Sequence, residues 1–307
     1  MSADVGLVAI TDRSGLDESC HHGLVVALGR DGEVAFAIGD PHQHVYPRSA
    51  NKPIQADAML RLGWEPSAEQ LALACASHDG TERHVAIARS TLTAAGLTED
   101  ALGNTHTLPF DRPTAHAVLA AGGGATAIQM NCSGKHAAMV ATCRANDWPV
   151  DGYLEADHPL QRAITARVVE LTGAVSHIGV DGCGAPAHVV ELVALARAFR
   201  TLAVDDAPVR SAMAQHPELV GGEHRDVTRL MRAVPGLMAK DGAEGVFAAA
   251  LPDGRAAAVK IADGAERAAG VVLAAALAQV DVDVDPSDFG PPILGHGEPV
   301  GRVRPAF

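Results

Sequence analysis

Apolar and polar positions follow two rhythms along the chain, and the change between them marks out its parts. Near the start, Gly6 to Thr11, His22 to Leu28 and Val34 to Ile38 are strand-like runs. Arg30-Asp31-Gly32 between the last two is a hairpin turn, since Asp-Gly tolerates the positive φ that such turns need. The far end repeats the device: Val246 to Leu251 and Arg255 to Ile261 flank Pro252-Asp253-Gly254, and a helix from about Ala265 to Gln279 follows. Between these ends apolar residues recur at the spacing of a helix face. One helix is expected from Ile54 to Leu62, and Ser67 with Gln70 forms a capping box ahead of Leu71 to Cys75. Pro159 opens and Gly173 closes a helix through Ile164, Val168 and Leu171, while Pro186 opens another through Val189, Val190, Leu192, Val193 and Leu195. Val209 to Gln215 and Arg225 to Arg232 complete the series.

Strands of similar character at both termini can share one antiparallel sheet, leaving the helical middle as a second lobe. The reading is therefore α+β: a sheet lobe at about 1–45 and 236–280, a helical lobe at about 46–235, and a Pro-, Gly- and Asp-rich tail, 281–307, that wraps the surface or is partly mobile. No internal repeat, low-complexity segment or linker separates these parts, so the 307 residues are expected to form a single unit with a crevice between its lobes.

Composition narrows what that crevice can hold. A net charge of −13 repels nucleic acid and anionic membranes, and 3% aromatic residues leave little to stack on bases. No apolar run approaches the roughly 18 residues of a membrane span. Met1 to Asp12 lacks the basic start and long apolar centre of a signal peptide, so a cytoplasmic protein is expected. The five cysteines, Cys20, Cys75, Cys132, Cys143 and Cys183, are odd in number and irregularly spaced, which argues against a disulfide framework. Of 24 basic residues only Lys52, Lys135, Lys240 and Lys260 are lysines. Arginine keeps its proton in a protein whereas lysine can lose it on burial, so a chain that uses arginine for its surface charge makes each lysine a candidate for chemistry.

Five polar stretches stand out against the apolar background. Ser49 and Lys52 head the Ile54 helix, where residues three apart share a face and the free N–H groups favour negative charge, the minimum for a nucleophile with its own base. The bland reading is an N-cap serine and a solvated lysine. Ala76-Ser77-His78-Asp79-Gly80-Thr81-Glu82 is dense in hydrogen-bonding side chains, or simply a helix end closed by Gly80. Asn131-Cys132-Ser133-Gly134-Lys135-His136 enters a helix at Ala137 to Arg144, and Val180-Asp181-Gly182-Cys183-Gly184-Ala185-Pro186 leaves a strand and enters a helix. If those two turns meet, Cys132, Cys183 and a neutral Lys135 or His136 could bind zinc, although no Cys-x-x-Cys spacing supports it. Lys240-Asp241-Gly242 precedes the C-terminal hairpin, as a cleft wall or as an ordinary entry turn.

Taken together, Ser-x-x-Lys at a helix start, a second polar serine motif and a lysine opening a hairpin before a C-terminal helix resemble the serine β-lactamase and glutaminase-like superfamily. Within it, PRSANKP, ASHDGTE, NCSGKH, VDGCGAP and KDGAEGV resemble the rhizobial-type (class 3) L-asparaginases, from about Arg48 to Ile261. The pair NCSGKH and DGCGAP is the specific part. The resemblance implies Ser49 as nucleophile with Lys52 as its base, Ser77 and Lys240 as a second Ser-Lys pair, and a zinc ion held by Cys132, Lys135 and Cys183. Arg48, Asp181 and His78 would support the site, with Lys260 the other candidate for the second lysine. A homodimer is implied as well. One position departs from the superfamily: Asp241 stands where a Ser or Thr hydroxyl is usual.

The reaction so implied is hydrolysis of L-asparagine to L-aspartate and ammonia through a serine acyl-enzyme, with zinc organising the site. The rivals are glutaminase or another serine amidohydrolase of the same fold, a zinc-hydroxide amidohydrolase, and a metal- or amino-acid-binding module without turnover.

Overall fold

The computed structural model describes residues 4–307, so the first three residues of the expected sheet lobe lie outside the described residues. Strands β1 (Gly6–Arg13), β2 (Leu16–Leu28) and β3 (Val34–Ile38) open the chain, with a short β4 (His44–Val45) after them. A 3₁₀ turn at Arg48–Asn51 leads into helices α1 (Lys52–Arg61), α2 (Ala68–Ala74), α3 (Glu82–Ala94), α4 (Arg112–Ala120), α5 (Ser133–Ala145) and α6 (Pro159–Thr172). Strands β5 (His177–Val180) and β6 (Pro186–Glu191) interrupt the helices, which resume as α7 (Leu192–Val204), α8 (Pro208–Gln215), α9 (Pro217–Val220) and α10 (Asp226–Ala233). Strands β7 (Met238–Gly242), β8 (Val246–Ala250) and β9 (Ala256–Ile261), helix α11 (Ala269–Ala278), and strands β10 (Ile293–Gly295), β11 (Glu298–Gly301) and β12 (Val303–Pro305) finish the chain.

The main sheet runs β12-β1-β2-β9-β8-β7, with β3 also on β2, and its pairings are antiparallel. Strands from both chain ends do share one sheet, and the fold is a mixed α and β structure. Every residue of β8 and β9 is buried, and both α7 and α11 pack against these strands and β2. Burial on both faces explains why the two strands read as unbroken apolar runs without alternation. The alanine-rich sequences VFAAA and AAAVKI let the helices approach closely.

Local signals set several boundaries. Ser67 accepts from the Gln70 N–H at 3.2 Å and the Gln70 side chain accepts from the Ser67 N–H at 2.9 Å, a closed capping box contributing about 1 kcal/mol. Gly173 stops α6 at φ +80°. Gly134 matters for the site: a Cβ there would lie 2.4 Å from the Leu73 carbonyl oxygen, so glycine alone lets the start of α5 seat against α2.

Two segments depart from the sequence reading. Pro186 opens a strand, and the helix starts only at Leu192. Val189 and Val190 are β-branched and pair with His177 and Val45 on either side, a tertiary gain that the helix-like spacing could not reveal. The tail does more than wrap the surface, because β12 extends the sheet by pairing with β1 at Ala9, Ile10 and Thr11.

Candidate active site

Ser49 sits in the 3₁₀ turn and caps nothing: the N-cap positions of the turn and of α1 are Pro47 and Asn51, and neither gives a side-chain cap bond. The irregular first turn follows from the backbone before it. Arg48 holds φ +53°, a left-handed conformation that a side chain with a Cβ adopts only when the surroundings demand it. The demand is visible, because Arg48 Nε donates to Asp181 Oδ1 at 2.8 Å, and the same oxygen accepts from the Gly182 N–H at 2.8 Å. That ion pair ties the serine turn to the loop carrying Cys183. Lys52, by contrast, is helical despite the proline after it, at φ −60° and ψ −37°. Pro53 falls in the first turn of α1, where no N–H is required.

Lys52 is 1% exposed, so its amine must find partners inside the protein. It donates to the Ala76 carbonyl, to Ser77 Oγ at 3.2 Å and to Cys132 Sγ at 3.1 Å. The hydrogen bonds are thus distributed differently from the Ser49-Lys52 and Ser77-Lys240 pairs of the sequence reading: Lys52 is bonded to Ser77. His78 fixes the Ser77 turn. The Gly80 N–H donates to His78 Nδ1 at 3.1 Å, which leaves the proton on Nε2 to donate to Ser133 Oγ at 2.9 Å. Burial, with the stacked His84 next, holds His78 well below the usual imidazole range, so it stays neutral and serves as a strut.

Lys240 lies on the sheet-edge strand β7, fully buried. Burial, opposed by Asp241 and aided by Lys52, lowers it to about 8. It donates to the carboxylate of its neighbour Asp241, and Arg225, one residue before α10, donates to the other oxygen of that carboxylate. Asp241, at the position of the usual hydroxyl, is therefore shared between two cations. Arg225 also faces Asp79 across 3.7 Å and stacks its guanidinium 4.7 Å above the Phe110 ring. Lys260 does not join this group. Its amine is spent on the Glu244 carbonyl, at 2.7 Å, and that of Ile261.

The third cluster is sulfur-centred. Lys135 donates to Cys183 Sγ at 3.1 Å. The Cys132 thiol, donating to it against the cost of burial, with Lys135 adding to the effect, holds Cys183 far below the ordinary thiol range. The same bond and burial push Cys132 up. Burial would lower Lys135, but the Cys183 thiolate, with Cys132 and Asp181 beyond it, raises it instead. His136 Nδ1 meets the Tyr153 hydroxyl at 2.7 Å, while its Nε2 is buried without a hydrogen-bond partner. Among the described residues no three His, Cys, Asp or Glu side chains gather as metal ligands, so a zinc ion here would take its third protein donor from Lys135. Two sulfurs and an amine that lie together, with an orphaned imidazole nitrogen near Cys183, fit such an ion once it has displaced the proton that Lys135 holds.

Residues 9–305 match the family model described as L-asparaginase II. The chain belongs to the L-asparaginase II family. As a member of a family of amidohydrolases it acts on a small-molecule amide. Among the described residues no helix is long and apolar enough to cross a membrane. No curated protein sequence matches it. Among solved structures it is similar to a β-lactamase from Mycobacterium bovis, at 14% identity and a TM-score of 0.34, over 84% of this chain and 92% of that one.

In this L-asparaginase II family member Lys52 is bonded to Ser77 and Cys132, Lys135 to Cys183, and the turn that carries Ser49 packs on β7, the strand of Lys240. Sequence reasoning missed Arg225, which looks like one surface arginine among many at a helix start. It also missed the role of Gly242. A Cβ there would lie 2.3 Å from the Pro47 carbonyl oxygen and 3.2 Å from the Ala50 nitrogen, so the serine turn rests directly on the β7 backbone. Gly242→Ala is expected to push that turn off the strand and lower turnover about 100-fold while the protein still melts cooperatively, as followed by ammonia release and circular dichroism.

Proposed function

We propose that the protein hydrolyses L-asparagine to L-aspartate and ammonia through an acyl-enzyme on Ser49. The observation that carries this reading is the buried amine of Lys52, one turn beyond Ser49 and bonded to Ser77, beside a second buried lysine lowered to about 8. Lys52, acting as the base, takes the Ser49 proton as Oγ attacks the side-chain amide carbon. Ser77 Oγ passes a proton to the nitrogen and regains one from Lys52, which donates to it, as the C–N bond breaks and ammonia leaves. Water then cleaves the ester to aspartate and restores the serine. An ammonia-release assay across asparagine, glutamine and a β-lactam tests the assignment: asparagine is expected to be the preferred substrate, whereas preference for glutamine would reassign the enzyme, since one methylene is worth only about 1–3 kcal/mol of discrimination.

Cys132, Cys183 and Lys135 would hold zinc, whose positive charge would fix the two sulfurs behind Lys52. The Lys52 contact to Cys132 supports an organising role over one in which the ion supplies the nucleophile. Cys183→Ala is expected to abolish stoichiometric zinc, read by metal analysis of the purified protein, and to slow turnover without ending it. Total loss on chelation, restored by zinc, would favour a zinc-bound hydroxide instead. The protein is expected to act in the cytoplasm, as a homodimer.

A further inference from the structure

We propose that Arg225 is a positioning residue of this reaction: by holding one oxygen of Asp241 it keeps that carboxylate from committing wholly to Lys240, and so leaves Lys240 able to release its proton beside Lys52. The inference rests on the serine-lysine reading above and goes beyond it, since nothing in the family resemblance assigns Arg225 or Asp241 a role.

The geometry is that of two cations on one anion. Arg225 Nη2 meets Asp241 Oδ2 and Lys240 Nζ meets Asp241 Oδ1. A carboxylate facing Lys240 alone would stabilise the ammonium form of a fully buried amine. Divided between Lys240 and a guanidinium that never loses its charge, it does so less, and the guanidinium adds repulsion of its own. Arg225 is itself held in place by Asp79 at 3.7 Å and by the Phe110 face, so it links the Ser77 turn to the Lys240 strand.

The other groups around Lys240 do not replace this effect. Lys52 from α1 repels its charge, and Cys75 at the end of α2 is a thiol pushed up by burial and hence neutral. Helix α8 also packs on β7, but its Arg210 is occupied by Asp206 and Ser211. Asp241 is the anion bonded to Lys240, and Arg225 the cation that shares it.

The experiment is the pH profile of ammonia release from L-asparagine for the wild type, Arg225→Gln, Arg225→Lys and Asp241→Asn. In the wild type the rate is expected to climb with pH through about 8, as Lys240 loses its proton and can take one from Lys52, leaving Lys52 the base for Ser49. Arg225→Gln frees Asp241 for Lys240, so the climb should move about one unit to higher pH, leaving the enzyme about tenfold slower at pH 7 and close to wild type at high pH. Arg225→Lys keeps a cation there and should restore the wild-type position. Asp241→Asn removes the anion and should move the climb to lower pH. A rate lowered by the same factor at every pH in Arg225→Gln, with the climb unmoved, would make Arg225 a mere fold residue and overturn the proposal. No ammonia release from the wild type would overturn the underlying reading as well, and a wild-type climb that Arg225→Gln does not shift overturns this inference alone.

Discussion

Ser49→Ala is expected to lower ammonia release from L-asparagine by at least about 10⁴-fold, the scale seen when a covalent nucleophile is removed. Stability should hardly change. The hydroxyl caps neither the 3₁₀ turn nor α1, and Lys52 is bonded elsewhere, to Ala76, Ser77 and Cys132. No buried partner is orphaned when the oxygen goes, so thermal unfolding of Ser49→Ala should superimpose on that of the wild type within about 0.5 kcal/mol. This separation of activity from stability identifies Ser49 as the attacking group in preference to Ser77. Ser77→Ala strips the buried Lys52 amine of an acceptor and should cost both activity and stability. Retention of near wild-type turnover in Ser49→Ala would end the acyl-enzyme mechanism at this residue.

What the sequence made legible was local. Asp-Gly turns, the Ser67 and Gln70 box, and the Pro159 to Gly173 span each contain their own physical cause within a few residues, and the structure places an element at each. Pro186 to Val190 could not be resolved in that way. A short apolar run suits a strand as well as a helix, and the choice was made by β4 and β5, which lie more than a hundred residues and a few residues away respectively. The site divides along the same line. Scarce lysines and glycine-rich cysteine turns were visible as composition, so Lys52, Lys135, Lys240, Cys132 and Cys183 could be singled out. Their partners were not visible. That Lys52 reaches Ser77 and Cys132, and that Lys240 shares Asp241 with Arg225, depends on helices and strands brought together across the chain. The strained backbone of Arg48 is likewise a tertiary fact, imposed by an ion pair to Asp181.

Lys52→Met and Lys52→Arg together are expected to decide whether Lys52 acts by moving a proton or by its charge. Both should lower turnover about 1,000-fold, in the range of a lost general base. Methionine matches the length and buried volume of the lysine stem and removes a polar amine from a 1%-exposed position. It leaves the Ala76 carbonyl and Ser77 Oγ short of a donor, a cost of about 1–3 kcal/mol that relief from burying a polar amine offsets. Lys52→Met should therefore fold with near wild-type stability, measured by urea denaturation, which makes its loss of activity a chemical one. Arginine keeps the positive charge and the capacity to donate to Ala76 and Ser77, yet it cannot become a neutral base. If Lys52→Arg stays within tenfold of wild type while Lys52→Met is inactive, the charge suffices, Lys52 is not the base, and the proton from Ser49 must travel by way of Lys240. If both variants fall alike, proton transfer is the function of Lys52, and the buried Ser77 contact is the path by which that proton reaches the leaving amine.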